Sequence, residues 1–234
     1  MQKLLVLTCL CLLFSCGNET SSDKLIVKGN IKGLKKGTVY LKKAKDSLLI
    51  TVDSLKIDGQ SHFELESDIT ERELFYLYLD KNDNDKGRIS FFGNKGITEI
   101  STTLKNFVFD AKVTGSKQQA VLNEYREVLS KFNNQNLDLI QENFNASKAQ
   151  DTALILKTEK AYKSLERRKY LYSVNFAINN KDNEVAPYIA LTELYNANIK
   201  LLDTVNNSLT PNIKESLYGK ALQRFVDRIK QEEQ

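Results

Sequence analysis

Tryptophan is absent from the 234 residues, histidine occurs once, proline twice and cysteine three times. With His62 as the only histidine, Ser-His-Asp and Cys-His catalysis and any histidine-based metal cluster drop out. The three cysteines, Cys9, Cys11 and Cys16, all fall near the N-terminus. The remainder therefore has no disulfide staple, no thiol nucleophile and no redox pair. No sign of charge dominates: 34 Lys and Arg against 30 Asp and Glu leave a net charge of +4, with both signs interspersed. That balance excludes nucleic acid as the expected partner.

What the chain does have begins at its first residue. Lys3 is followed by an apolar stretch from Leu4 to Phe14, closed by Leu13-Phe14-Ser15-Cys16. At about 1.5 Å per helical residue, such a stretch covers roughly half of a ~30 Å hydrocarbon core. It therefore reads as a cleaved lipoprotein signal peptide over residues 1–15, cut between Ser15 and Cys16. Cys16 is the expected lipid (palmitate) attachment residue, and two or more fatty chains give stable membrane anchoring. Residues 16–24 form a polar tether. Glu19 and Asp23 make no acidic cluster of the surface-export kind, which points to an outer-membrane protein facing the periplasm.

Glycine divides the rest of the chain. Eight of the ten glycines lie from Gly29 to Gly115, and only Gly219 comes later. Glycine marks turns and bulges, so 25–115 reads as a β domain and 116–234 as an α-helical domain. Eight strands are predicted: Leu25–Ile31, Thr38–Lys42, Leu48–Ile57, His62–Glu66, Leu74–Leu79, Arg88–Phe92, Ile97–Thr102 and Phe107–Val113. Their spacing predicts an antiparallel β-sandwich or open barrel. Ser116 and Gln119 form a capping box, and Val121, Tyr125, Val128 and Phe132 repeat as one helical stripe. Further helices are expected over Asp151–Ala177, from Asn183 with Pro187 in its first turn and through Tyr195, and from Pro211 into a stripe of Tyr218, Leu222, Phe225 and Ile229. The fold class is thus α+β, with a C-terminal bundle of four or five helices. The first helix comes directly after the last strand with almost no linker, so the two units are expected to unfold together.

Gly29-Asn30-Ile31-Lys32-Gly33, then Gly37-Thr38-Val39-Tyr40-Leu41, Val52-Asp53-Ser54, the Asp58-Gly59 turn with Phe63, and Val113-Thr114-Gly115-Ser116 recur in this order in a known family. Through them, and on to Leu217-Tyr218-Gly219-Lys220, the chain resembles the domain of unknown function found N-terminal to thioredoxin-like (AhpC/TSA, TlpA-type) modules in Bacteroidota lipoproteins. The resemblance implies a place beside thiol–disulfide exchange. These 234 residues contain no Cys-x-x-Cys, so that redox activity is not carried over.

The remaining polar clusters read as structure. Counted from Asp80, an EF-hand loop would need glycine where Asp85 stands and glutamate where Phe91 stands, so 80–87 reads as a polar hairpin loop. Asp53-Ser54 has no visible base partner. Arg167-Arg168-Lys169 fan around a helix as a solvated face. Thr152 and Thr204, each in an Asp-Thr-apolar triplet, resemble bacterial O-glycan acceptors. No catalytic residue, metal site or cofactor is expected. The sequence reads as a non-enzymatic binding module, tethered by lipid, for a protein or small-ligand partner. The alternative is an accessory to periplasmic thiol–disulfide exchange that works with a separate thioredoxin-like protein.

Overall fold

A computed structural model describes residues 23–45, 48–80 and 87–232. Eight strands form two four-stranded sheets. They are β1 (Lys24–Lys32), β2 (Lys36–Lys45), β3 (Leu48–Asp58), β4 (His62–Asp68), β5 (Glu73–Leu79), β6 (Arg88–Gly93), β7 (Gly96–Thr103) and β8 (Lys112–Thr114). The first sheet runs β4-β1-β7-β8 and the second β3-β2-β5-β6. Alternation drives the layering: Leu25, Val27 and Ile31 of β1 turn inward against Leu41, Phe75, Leu77 and Phe91 of the other sheet. At the inward position between them, Gly29 leaves room for the ring of Phe63, its paired residue on β4, which a Cβ would strike.

Three details depart from the strand expectations. One pairing is parallel: β7 re-enters the first sheet at Gly96, beside Leu25 at the start of β1, and so runs in β1's direction. The alternating stretch Phe107–Val113 is mostly turn, leaving only Lys112–Thr114 as strand. There Asp110 Oδ2 accepts from the Thr103 hydroxyl at 2.6 Å and Thr103 Oγ1 from Asn106 N at 3.1 Å, and these side-chain bonds offer the backbone an alternative to the ladder. Finally, Leu41 pairs with Asp53 and Lys42 with Thr51, so Val52 is the extra residue of a bulge.

Beyond the strands come six helices: α1 (Lys117–Lys148), α2 (Thr152–Asn179), α3 (Val185–Glu193), α4 (Ile199–Ser208), α5 (Pro211–Lys214) and α6 (Leu217–Glu232). The third predicted run ends before Tyr195, and α4 is additional, capped by Asn198, whose Oδ1 accepts from Lys200 N at 2.9 Å. No helix among the described residues is long and apolar enough to cross a membrane.

The chain leaves β8 through Gly115, where φ is +127° and a Cβ would strike Ile97 O. It enters α1 at Ser116, whose hydroxyl accepts from Gln119 N at 3.0 Å. The second half of the capping box does not form. Gln119 is buried, and its Oε1 accepts from Phe92 N on β6 at 2.8 Å while its Nε2 donates to Asn123 Oδ1 at 2.6 Å. Asn123 Nδ2 donates in turn to Val113 O on β8 at 3.0 Å. Arg126 adds bonds to Ser90 O at 2.9 Å and Ser90 Oγ at 2.7 Å. One face of α1 thus takes up backbone groups from both sheets, β6 in one and β8 in the other. A buried N–H without a partner costs more than a helix-end N–H left to solvent, so Gln119 serves the sheet.

Above this contact, Leu74 and Phe92 of the sheet pack with Leu122 and Tyr125 of α1, Phe176 of α2 and Val185 and Ile189 of α3. Phe92 meets Tyr188 and Tyr218 edge-on at 5.4 and 5.7 Å between ring centroids. A separate helical core holds Ala177, Ala190, Leu202, Val205, Leu222 and Val226. Gln119→Leu, which keeps the packing but strands the Phe92 N–H, is expected to cost about 1–3 kcal/mol in urea unfolding. The β-sensitive and helix-sensitive signals should still fall together, and a helical transition left in place while the sheet melts earlier would contradict the shared core.

Candidate functional site

Ser15 and Cys16, the predicted cleavage and lipid-attachment residues, lie outside the described residues, as do residues 81–86 of the polar hairpin loop. Of that loop, Asp80 accepts from Thr38 N at 2.8 Å and so closes the strand end. Among the described residues no group of three or more His, Cys, Asp or Glu is placed to hold a metal. Thr152 is the exposed first residue of α2, while Thr204 sits mid-helix in α4 with its hydroxyl donating to Lys200 O at 2.6 Å.

His62 opens β4, exposed, with Nε2 2.9 Å from Asn30 Nδ2. Asp53 is committed twice: Oδ1 accepts from Ser54 N at 2.7 Å and Oδ2 from Glu66 N at 2.8 Å. Because β3 and β4 are edge strands of different sheets, the second bond stitches the sandwich shut on the side away from α1. The bulge at Val52 bends β3 just where Asp53 makes it. Arg167 is exposed, Arg168 bonds Gln135 at 3.3 Å and Lys169 pairs with Glu193 at 3.3 Å, so the basic run fans around α2.

Three concave surfaces stand out. A groove of about 730 Å³ crosses the first sheet, lined by Lys28, Asn30, His62, Glu64, Glu99 and Lys112, with Lys28 and Glu64 paired at 3.3 Å. A second, of about 700 Å³, lies on the far part of the α1–α2 hairpin between Ile140, Phe144 and Tyr162. A third, of about 380 Å³, opens at the seam between sheet and helices, lined by Arg72, Lys95, Glu184, Asn212 and Glu215.

The seam holds a buried carboxylate. Glu184 is buried, with Oε1 accepting from Arg72 at 2.8 Å and Oε2 from Gln118 at 3.1 Å, which ties the β4–β5 loop to α1 and α3. Sequence reasoning missed this carboxylate, because its partners are 112 and 66 residues away. Burial lowers the Arg126 pKa from its usual value, opposed by the neighbouring Tyr188. Burial also pushes the phenols of Tyr125, Tyr188 and Tyr218 above their ordinary range. Tyr218 still accepts a bond from Leu74 N at 2.9 Å, and Tyr125 lies 2.7 Å from Ser173 Oγ. This arrangement clamps two layers together and favours neutral phenols.

Phenols in the unfolded chain ionise near pH 10, so above that pH the native state binds more protons than the unfolded state. Stability is therefore expected to be fully present below about pH 10 and to fall as pH rises toward the folded values. Tyr218→Phe should make that decline shallower. Phenolate absorbance appearing near pH 10 for every tyrosine, before unfolding, would contradict the burial.

No curated protein matches the chain. The family match covers every strand, the Gly115 exit and the first turns of α1, ending at Leu122, three residues past Gln119. Over residues 25–122, the chain matches the family model described as a domain of unknown function, DUF4369.

Proposed function

We propose that this protein is a lipid-anchored cell-envelope lipoprotein, acylated at Cys16 and acting as a non-enzymatic interaction module at the periplasmic face of the outer membrane. The observation that carries this reading is the sequence Leu13-Phe14-Ser15-Cys16 at the end of a short apolar stretch, eight residues before the first described strand begins at Lys24. The tether between them is short, at most about 3.5 Å per residue when extended, and keeps the sandwich close to the membrane.

The use of the polar side chains supports the interaction role. Both oxygens of Asp53 accept from backbone N–H groups, and both oxygens of Glu184 are hydrogen-bonded across the seam. Asp110 accepts from Thr103 and Asn106 within its turn. A general acid or base needs a free lone pair aimed at substrate, and these groups spend theirs on the fold. What is left outward includes shaped surface, a groove across the first sheet and another on the α1–α2 hairpin, and concave surface is what binding uses.

Cys16→Ser is expected to abolish acylation and normal processing, because the thiol beside the cleavage site is the acceptor. Metabolic labelling with palmitate and then detergent phase partition checks it. Parent protein that carries no label, or a Cys16→Ser variant that keeps it, would overturn the anchor.

A further inference from the structure

The β2–β3 hairpin overshoots its own sheet. The last β2 residue that pairs with β5 is Lys43, opposite Phe75, yet β2 and β3 stay paired through Ala44 with Leu49 to Lys45 with Leu48. Leu48 is 71% exposed and Leu49 41%. Successive strand residues face opposite sides, so Leu48 beside Lys45 and Leu49 beside Ala44 make this end of the hairpin apolar on both faces. A partner laid on the sheet would cover one of those faces and leave the other wet. A fluid apolar medium that closes round the hairpin covers both.

The hairpin points out of the end through which the chain arrives. Asp23 pairs with Lys95 of the β6–β7 turn at 3.0 Å and Lys24 with Glu66 at 3.2 Å, which fixes where β1 begins. From this end β1 runs away, β4 returns to it at Asp68, and β2 finishes at it beside the start of β5. Lys24 accordingly shares a cleft of about 400 Å³ with Lys43 and Val52 of the hairpin. From Val52 to Leu48 the strand continues past that cleft for four residues, about 14 Å. The eight residues from Cys16 to Lys24 span at most about 28 Å, so a lipid on Cys16 holds the Leu48 end within reach of the bilayer surface.

We propose that Leu48 and Leu49 form a second membrane contact, dipping into the headgroup and upper acyl region of the bilayer that carries the anchor and standing the sandwich upright on it. This rests on the reading of Cys16 as lipid-bearing. Apolar burial drives the contact, since the charges at this end are already matched: Lys43 pairs with Glu73 at 2.8 Å, Lys24 with Glu66, and Asp46 follows Lys45 in the sequence. Lys45, exposed and directly opposite Leu48, keeps its ammonium at headgroup level while its stem lies on apolar surface. Two leucines alone would not hold a soluble chain at a membrane, but the tether keeps them at high local concentration. The lipid therefore sets attachment and the hairpin sets orientation. In that posture the groove across the first sheet opens along the membrane rather than into it.

The test uses the full acylated chain reconstituted into vesicles of phosphatidylethanolamine and phosphatidylglycerol. Ala44→Cys carries an environment-sensitive nitrobenzoxadiazole probe, and Lys36→Cys, at the other end of the hairpin, carries the same probe as reference. On vesicles the Ala44 probe should shift to the blue and be quenched by nitroxides on shallow acyl positions, while the Lys36 probe stays in water. Adding Leu48→Ser with Leu49→Ser should lower the lipid-embedded fraction of the Ala44 probe about tenfold or more, although the chain still floats with the vesicles through its lipid. Neither high salt nor vesicles of phosphatidylcholine alone should change the result. A chain that floats with the vesicles while the Ala44 probe remains in water would overturn the proposal and leave the anchor standing. A probe shielded from water but not quenched by the lipid nitroxides would place the tether, a second copy or another protein over the leucines, and would equally overturn it. Embedding lost in salt or without phosphatidylglycerol would make the contact electrostatic and contradict apolar insertion. A parent chain that never floats fails the anchor reading itself, and the hairpin contact that rests on it falls with it.

Discussion

The outer edge of β6 sets the terms for the rest of the molecule. An edge strand that ends under a helical layer presents backbone groups that need partners there, here the buried Phe92 N and the half-buried Ser90 O. Gln119 and Arg126 of α1 satisfy them, and Asn123 carries the same network to Val113 O on the opposite sheet. The α1 helix is thus a side-chain substitute for a ninth strand. Its position is set by Gly115, since only a residue at home with positive φ and without a Cβ turns the chain so close to β7. With α1 fixed, Tyr188, Tyr218 and Phe176 have an aromatic surface to pack on, and Glu184 has partners from a loop and a helix.

Much of this was legible in the sequence where the period was clear. Alternation in Tyr76-Leu77-Tyr78-Leu79 locates β5, and the stripes through Tyr125 and Leu222 locate α1 and α6. The misses are non-local or short. The pattern Val108–Val113 alternates as a strand does, yet Thr103, Asn106 and Asp110 close it as a turn. The parallel β1–β7 pairing depends on where the chain re-enters the sheet, which no local pattern encodes. The Ser116 and Gln119 motif reads as reciprocal, and only the Ser116 half forms. Burial of an edge N–H outweighs a solvent-reachable helix end.

The surfaces were less legible than the fold. Leu137, Ile140 and Phe144 have the spacing of core residues, and a sequence reading cannot tell an apolar stripe that faces its own chain from one that faces outward. In the structure this stripe faces outward, while Asn143 turns to α2 and bonds Thr158. Asp53, a carboxylate to which the sequence gives no partner, joins the two sheets opposite α1. The sandwich is therefore closed by polar side chains on both open sides, one carboxylate at β3–β4 and one helix face at β6–β8.

Amide hydrogen exchange at Phe92 tests this most directly. If Gln119 caps the β6 edge as a strand would, the Phe92 amide exchanges only through global unfolding and tracks Phe91, whose N–H lies within the β5–β6 ladder. An amide at Phe92 that exchanges orders of magnitude faster than Phe91 under native conditions would show the edge open, and would contradict the role given to α1.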